Sequence, residues 1–162
     1  MSKILLLLLL LNVATLYGQS KNIKTIDDKN MGAFGINNFD NDDAIDWLNF
    51  FLLQPSSENL DLTFGKILKN NGYIEVDDCN HCIVASEILA ALNGKISPYY
   101  PDDAKRIKLT LDSSILMILK TKAMKCLIKI RSNSELKELY MDNKDNYKQW
   151  LLNIDGLVKR LN

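Results

Sequence analysis

Met31-Gly-Ala-Phe-Gly-Ile-Asn-Asn-Phe39-Asp-Asn-Asp-Asp-Ala-Ile-Asp-Trp47 is the most distinctive stretch of this 162-residue chain: a glycine-bearing, apolar lead-in runs into four aspartates. Ala44, Trp47, Leu48 and Phe51 then recur at three- and four-residue steps, which predicts an amphipathic helix ending near Gln54-Pro55. Asp40 or Asn41 is suited to be its N-cap, and Asp42, Asp43 and Asp46 fall in or near the first turn, where carboxylates oppose the positive end of the helix dipole. Gly32 and Gly35 permit close backbone approach, while Phe34, Ile36 and Phe39 offer apolar anchors. The lead-in is therefore expected to fold back over the core as an ordered irregular segment. Two sharper readings fit poorly. A phosphate cradle would need a preceding strand and no acid after it. A calcium loop opening at Asp40-x-Asp42 would place Ala44 at the third ligand position and Ile45 where the turn requires glycine.

Outward from this stretch the helical period continues. Ser56 and Ser57 are placed to cap a second helix with Leu60, Phe64, Ile67 and Leu68 on one stripe, stopped by Asn70-Asn71-Gly72. Asp77 or Asp78 is expected to cap a third, running to Leu92 and closed by Asn93-Gly94. Val84, Ile88, Ala91 and Leu92 cluster on one side of it, with His81 near the first turn and Glu87 about a quarter-turn away, half-buried and partnered. Ser97-Pro-Tyr-Tyr-Pro-Asp-Asp103 is a turn-rich connection whose tyrosines either line a groove or pin the loop down. From Asp112 to about Arg131, Ile115, Leu116, Leu119, Ala123, Cys126, Leu127 and Ile130 share one face, and Met117, Met124 and Ile128 form a second strip. An apolar face on two sides marks this as the central helix. A short helix follows from Glu135 to Met141. The last runs to Leu161 on Tyr147, Trp150, Leu151, Ile154, Leu157 and Val158. No run alternates with period two for long enough to argue for a strand, so the expected fold is all-α, a single compact domain of five or six helices.

The start of the chain reads as a cleaved signal peptide. Met1-Ser-Lys3 is short and positive, Ile4 to Leu11 is unbroken apolar sequence, and Leu16-Tyr-Gly-Gln-Ser20 supplies small and polar residues for cleavage after Gly18. The apolar run falls short of the ~20 residues of a membrane-spanning helix, so no stable membrane insertion is expected. Residues 1–18 are thus assigned to the signal peptide, 19–30 to a flexible lead and 31–162 to the helical domain, which places the protein in the periplasm or outside the cell.

Removing Lys3 from the 20 basic residues leaves the mature chain at a formal charge of −1 against 20 acidic ones. That balance argues against a general nucleic-acid binder. Charge is nevertheless segregated: residues 30–65 hold six carboxylates and no Lys or Arg, and residues 105–131 hold eight basic residues and only Asp112. Such halves either attract each other within one fold or present two surfaces to partners; the first needs no further molecule. Lys122, Lys125 and Lys129 make a basic stripe, read as a solvated face or as a docking site for an acidic partner or the acidic first helix.

Exported proteins meet oxidising conditions, and an odd set of three cysteines leaves at least one unpaired or engaged with something else. Cys79-Asn-His-Cys82 has the C-x-x-C form without a strand before it. A zinc site on Cys79, His81, Cys82 and Cys126 would need adjacent residues to coordinate together, so no metal or other cofactor is assigned and small buried side chains are expected.

Several segments together resemble the bacterial family catalogued as domain of unknown function 4259. They are Met31 to Trp47, Tyr73-Ile-Glu75 leading into Ala85-Ser-Glu-Ile-Leu-Ala-Ala-Leu-Asn-Gly94, and Ser134-Glu-Leu-Lys-Glu-Leu-Tyr140 with Trp150 and Arg160-Leu161. Phe34 stands where the family usually has tryptophan, and its relatives are alanine-rich around Cys79 to Cys82. The resemblance implies a small helical domain without an established activity, and it adds Glu135 to the motif residues Gly32, Gly35, Phe39, Asp42, Asp43, Asp46, Trp47 and Glu87. No nucleophile–base pair accompanies them, since His81 lies on an apolar face. The expected function is a binding or interaction module, immunity-like or regulatory, with another envelope protein as partner. The competing expectation is a carboxylate-based or metal-dependent enzyme using Asp42, Asp43, Asp46 and Glu87, which requires those groups to converge in a cleft.

Overall fold

Side-chain caps explain why most helices begin where they do in the computed structural model, which describes residues 35–162. The expected signal peptide, the flexible lead and Met31 to Phe34, Gly32 included, lie outside the described residues. Helix α1 spans Asp42–Leu53, and its N-cap is Asn41, whose side chain accepts from Ala44 N–H. Helix α2, Ser57–Lys69, is capped by Ser56 in the same way. Helix α4, Ser113–Ser132, starts on Asp112, which accepts from the Ser114 and Ile115 amides and is held below the usual carboxylate range by the Ser114 hydroxyl and those amides. Helices α5, Glu135–Met141, and α6, Lys144–Leu161, are capped by Ser134 and Asn143. A short 3-10 turn, Asp103–Arg106, lies in the connection before α4.

Helix α3, Val76–Leu92, is the exception. It begins before Asp77 and Asp78, and its N-cap residue Glu75 makes no side-chain cap bond. The missing acceptor comes from α5: Glu135 Oε2 accepts from Val76 N–H at 2.8 Å, while Glu135 N–H donates to Ile74 O at 2.9 Å. Beside this seam the exposed Tyr73 hydroxyl donates to Glu138 Oε2 at 2.6 Å, which pushes its pKa up to about 12. Gly94 closes the helix at φ +79°, where a side chain would be strained.

The fold is all-α, six α-helices with no strand among the described residues, as the periodicity implies. The central position goes to α3 rather than to α4. Every residue from Cys79 to Ala90 except His81 is buried, and α3 packs against all five other helices. It is apolar or small on every side, and that makes it a poor periodic signal but an interior helix. Helix α4 buries only one face, with Leu119, Ala123, Cys126, Leu127 and Ile130 inward; of its second strip, Met117 and Ile128 stay exposed. The three thiols are free and buried. Burial pushes Cys79 up to about 12 and Cys82 well above its ordinary value, so both stay protonated core side chains.

Candidate functional site

The lead-in folds back onto the seam between α3 and α6 as a clasp, Gly35 to Asp40. Its own turn is closed by Gly35 N–H donating to Asp40 O at 3.3 Å and Asp40 N–H donating to Asn37 O at 3.0 Å. The Asp40 carboxylate accepts from the Asn37 backbone at 3.0 Å and its amide side chain at 2.8 Å. A Cβ on Gly35 would collide with Asp40, so the turn requires glycine there. Three side chains from elsewhere hold the clasp down. The Tyr140 hydroxyl donates to Gly35 O at 2.8 Å, Asn153 Nδ2 donates to Ile36 O at 2.7 Å, and Asn38 Nδ2 donates to Glu87 Oε1 at 2.6 Å. Phe39 is buried edge-on against the Tyr100 ring at 5.6 Å. Burial pushes Tyr140 up to about 12 and raises Tyr100 further, so both hydroxyls remain neutral.

Beneath the clasp sits a charge pair with a buried carboxylate and a half-buried guanidinium. Glu87 is 1% exposed and receives a two-pronged guanidinium: Arg160 Nη1 donates to Oε2 at 2.7 Å and Nη2 to Oε1 at 2.6 Å. With Asn38 also bonded, the carboxylate accepts three hydrogen bonds and is held in one geometry. Above it opens a cleft of about 180 Å³. Amides and a hydroxyl from Asn37, Asn38, Asn153 and Ser97 line it, and the exposed side chains of Tyr99 and Leu152 form its mouth. The two tyrosines of the connection therefore divide the two roles considered for them: Tyr100 pins the loop and Tyr99 faces the cleft.

Of the motif residues, Gly35, Phe39, Glu87, Tyr140 and Arg160 come together here, whereas the aspartates do not join them. Asp42 and Asp46 are exposed on α1, and Asp43 accepts from Asn80 Nδ2 at 3.3 Å. Among the described residues no three His, Cys, Asp or Glu side chains cluster as a metal site. The four-carboxylate group that acid–base chemistry would need is thus not assembled around Glu87. Asp43 is not the cap of α1, a role that belongs to Asn41. Trp47 is buried, stacked on Phe51 at 5.3 Å and tilted against His81 at 6.4 Å, and Trp47 and His81 flank a second hollow lined by Leu62, Lys66 and Asp78. Burial lowers the His81 pKa and so favours the neutral imidazole.

The basic stripe is largely engaged within the chain. Lys122 pairs with Asp61 of α2, and Lys129 donates to Ile67 O at 2.9 Å and to Asn70 O, at the C-terminal end of α2. Lys125 is left exposed. Sequence reasoning missed Arg160 as the partner of Glu87, together with Asn38 and Asn153. The resemblance touched Arg160, but nothing in local periodicity links positions 73 residues apart.

No curated protein and no solved structure matches the chain. The model of one family, described only as a domain of unknown function, matches residues 32–153, which takes in the clasp, all of α3 and the Tyr140 and Asn153 anchors. The chain therefore belongs to the DUF4259 family.

Proposed function

We propose that this chain is an exported, non-catalytic binding module, and that the cleft beside the clasp receives a side chain of an envelope protein partner. The observation that carries this reading is the state of Glu87. Among the described residues it is the only carboxylate lining the cleft, and its oxygens are taken by Arg160 and Asn38, which leaves none of them as a free acid or base for proton transfer. What remains is amide and hydroxyl chemistry beside an exposed aromatic ring, the mixture that recognises a neutral polar or apolar group. The volume of about 180 Å³ is below the ~300 Å³ at which drug-sized ligands begin, so it suits one inserted side chain.

The test is affinity capture from the native envelope with the wild-type chain and with Tyr99→Ala and Leu152→Asp variants, each first shown to melt like the wild type. A stoichiometric protein lost with both variants is the expected result. Capture of no protein, or of one indifferent to both substitutions, would overturn the reading.

A further inference from the structure

Two helix faces away from the cleft are exposed, apolar and opposite in charge. On α1, Asp42, Ile45, Asp46, Asn49, Phe50 and Leu53 fall at i, i+3, i+4, i+7, i+8 and i+11 along one stripe, and all are exposed; Phe50 is 57% and Leu53 86% accessible. This stripe is acidic at its N-terminal end and apolar at its C-terminal end, with no basic residue in α1. On α4, Met117, Ile118, Thr121, Lys125 and Ile128 make a second exposed stripe, with Met117 65% and Ile128 64% accessible. It is apolar at its N-terminal end and carries the exposed Lys125 toward the other, before Ile128, while Lys122 and Lys129 at its edge are engaged by α2.

The two stripes match in length as well as in chemistry. Asp42 to Leu53 and Met117 to Ile128 each span 11 residue steps, or ~16 Å of helix at 1.5 Å per residue. Laid antiparallel, Asp42 lies over Ile128, Ile45 and Asp46 meet Lys125, Phe50 falls between Ile118 and Thr121, and Leu53 covers Met117. Parallel alignment would set the acids against the apolar end. From this complementarity we infer that the α1 face of one copy docks antiparallel on the α4 face of a second copy of the chain. The contact joins unlike surfaces, so each copy keeps one face free for another unless the arrangement closes on itself.

Sedimentation velocity of the purified protein over a wide concentration range tests this. The expected result is concentration-dependent association that weakens at high salt. Asp46→Lys and Lys125→Glu, both at exposed positions, should each weaken it about fivefold or more. The two reversals combined in one chain should restore it, because the pair is then swapped rather than broken. A chain that stays monomeric throughout would overturn the inference. So would association indifferent to either reversal, or two weakened variants not rescued in combination. Flotation of a monomeric protein with phosphatidylglycerol vesicles, lost in Lys125→Glu, would assign the α4 face to a membrane surface and overturn it as well.

Discussion

Asn41 and Asp43 stand two residues apart at the start of α1 and have different partners. Asn41 accepts from Ala44 N–H at 2.8 Å, so Asn41→Ala should cost about 1 kcal/mol, the ordinary loss of a cap. Asp43→Ala should also cost about 1 kcal/mol, but by depriving the buried Asn80 amide of its acceptor. Urea unfolding separates the two mechanisms: the Asp43 loss should shrink in an Asn80→Ala background and be unchanged in Asn41→Ala. Additive losses for Asp43 and Asn80 would contradict this account. His81 gives a second residue-scale expectation. Burial against Trp47 and the charge of Lys66 disfavour the imidazolium, and Asp78, Asp77 and Asp43 only partly oppose them. The folded pKa lies below the unfolded ~6.5, so between those values the unfolded chain binds more protons. The stability this provides is fully present above ~6.5 and is lost as pH falls through that window. Thermal melts at stepped pH should show the wild type losing more below ~6.5 than His81→Gln; equal losses would remove His81 from the explanation.

At the level of helices, the sequence announces those whose caps are local. Ser56, Asp112, Ser134 and Asn143 each accept from an amide two or three residues on, so the boundaries of α2, α4, α5 and α6 are written beside them. The start of α3 is not, because its acceptor Glu135 lies 59 residues away. Glu135→Ala should therefore destabilise the protein by about 1 kcal/mol and speed amide exchange at Val76, a helix away from the substitution. Unchanged protection at Val76 would show that the first turn of α3 does not depend on α5. The misassigned centre has a related cause. Two apolar strips made α4 look interior, but amphipathic strips report only what is apolar, and Met117 and Ile128 stay exposed among the described residues. Small residues such as Cys82, Ala85, Ser86 and Ala90 let neighbours approach α3 on every side, a property that volume encodes and hydrophobic periodicity does not.

Across the whole molecule, residues far apart in sequence, several of them within the motif segments, meet at one place. Gly35 and Phe39 come from the lead-in, Glu87 from α3, Tyr140 from α5, and Asn153 and Arg160 from α6. Glu87 was legible as a half-buried carboxylate in need of a partner; which partner was not, since only the packing of α6 on α3 brings Arg160 to it. Charge segregation resolves in part inside the fold, through Lys122 with Asp61 and Lys129 on the α2 carbonyls, while Arg131 of the basic half pairs with Asp155 and Lys66 pairs with Asp78 outside both halves. The clasp, which lies within the stretch matching the family, is on this account a structural element over a fixed charge pair, and the cleft is the surface that the clasp creates.

A double-mutant cycle in urea on Glu87→Leu, Arg160→Met and the combined variant tests that claim most directly. Arg160→Met leaves the buried Glu87 carboxylate without its cation and should cost about 3 kcal/mol, Glu87→Leu leaves the half-buried Arg160 guanidinium and should cost less, and the double variant should lose far less than both together. Losses that add, or a Glu87→Leu variant as stable as the wild type, would contradict the charge pair as the anchor of this fold.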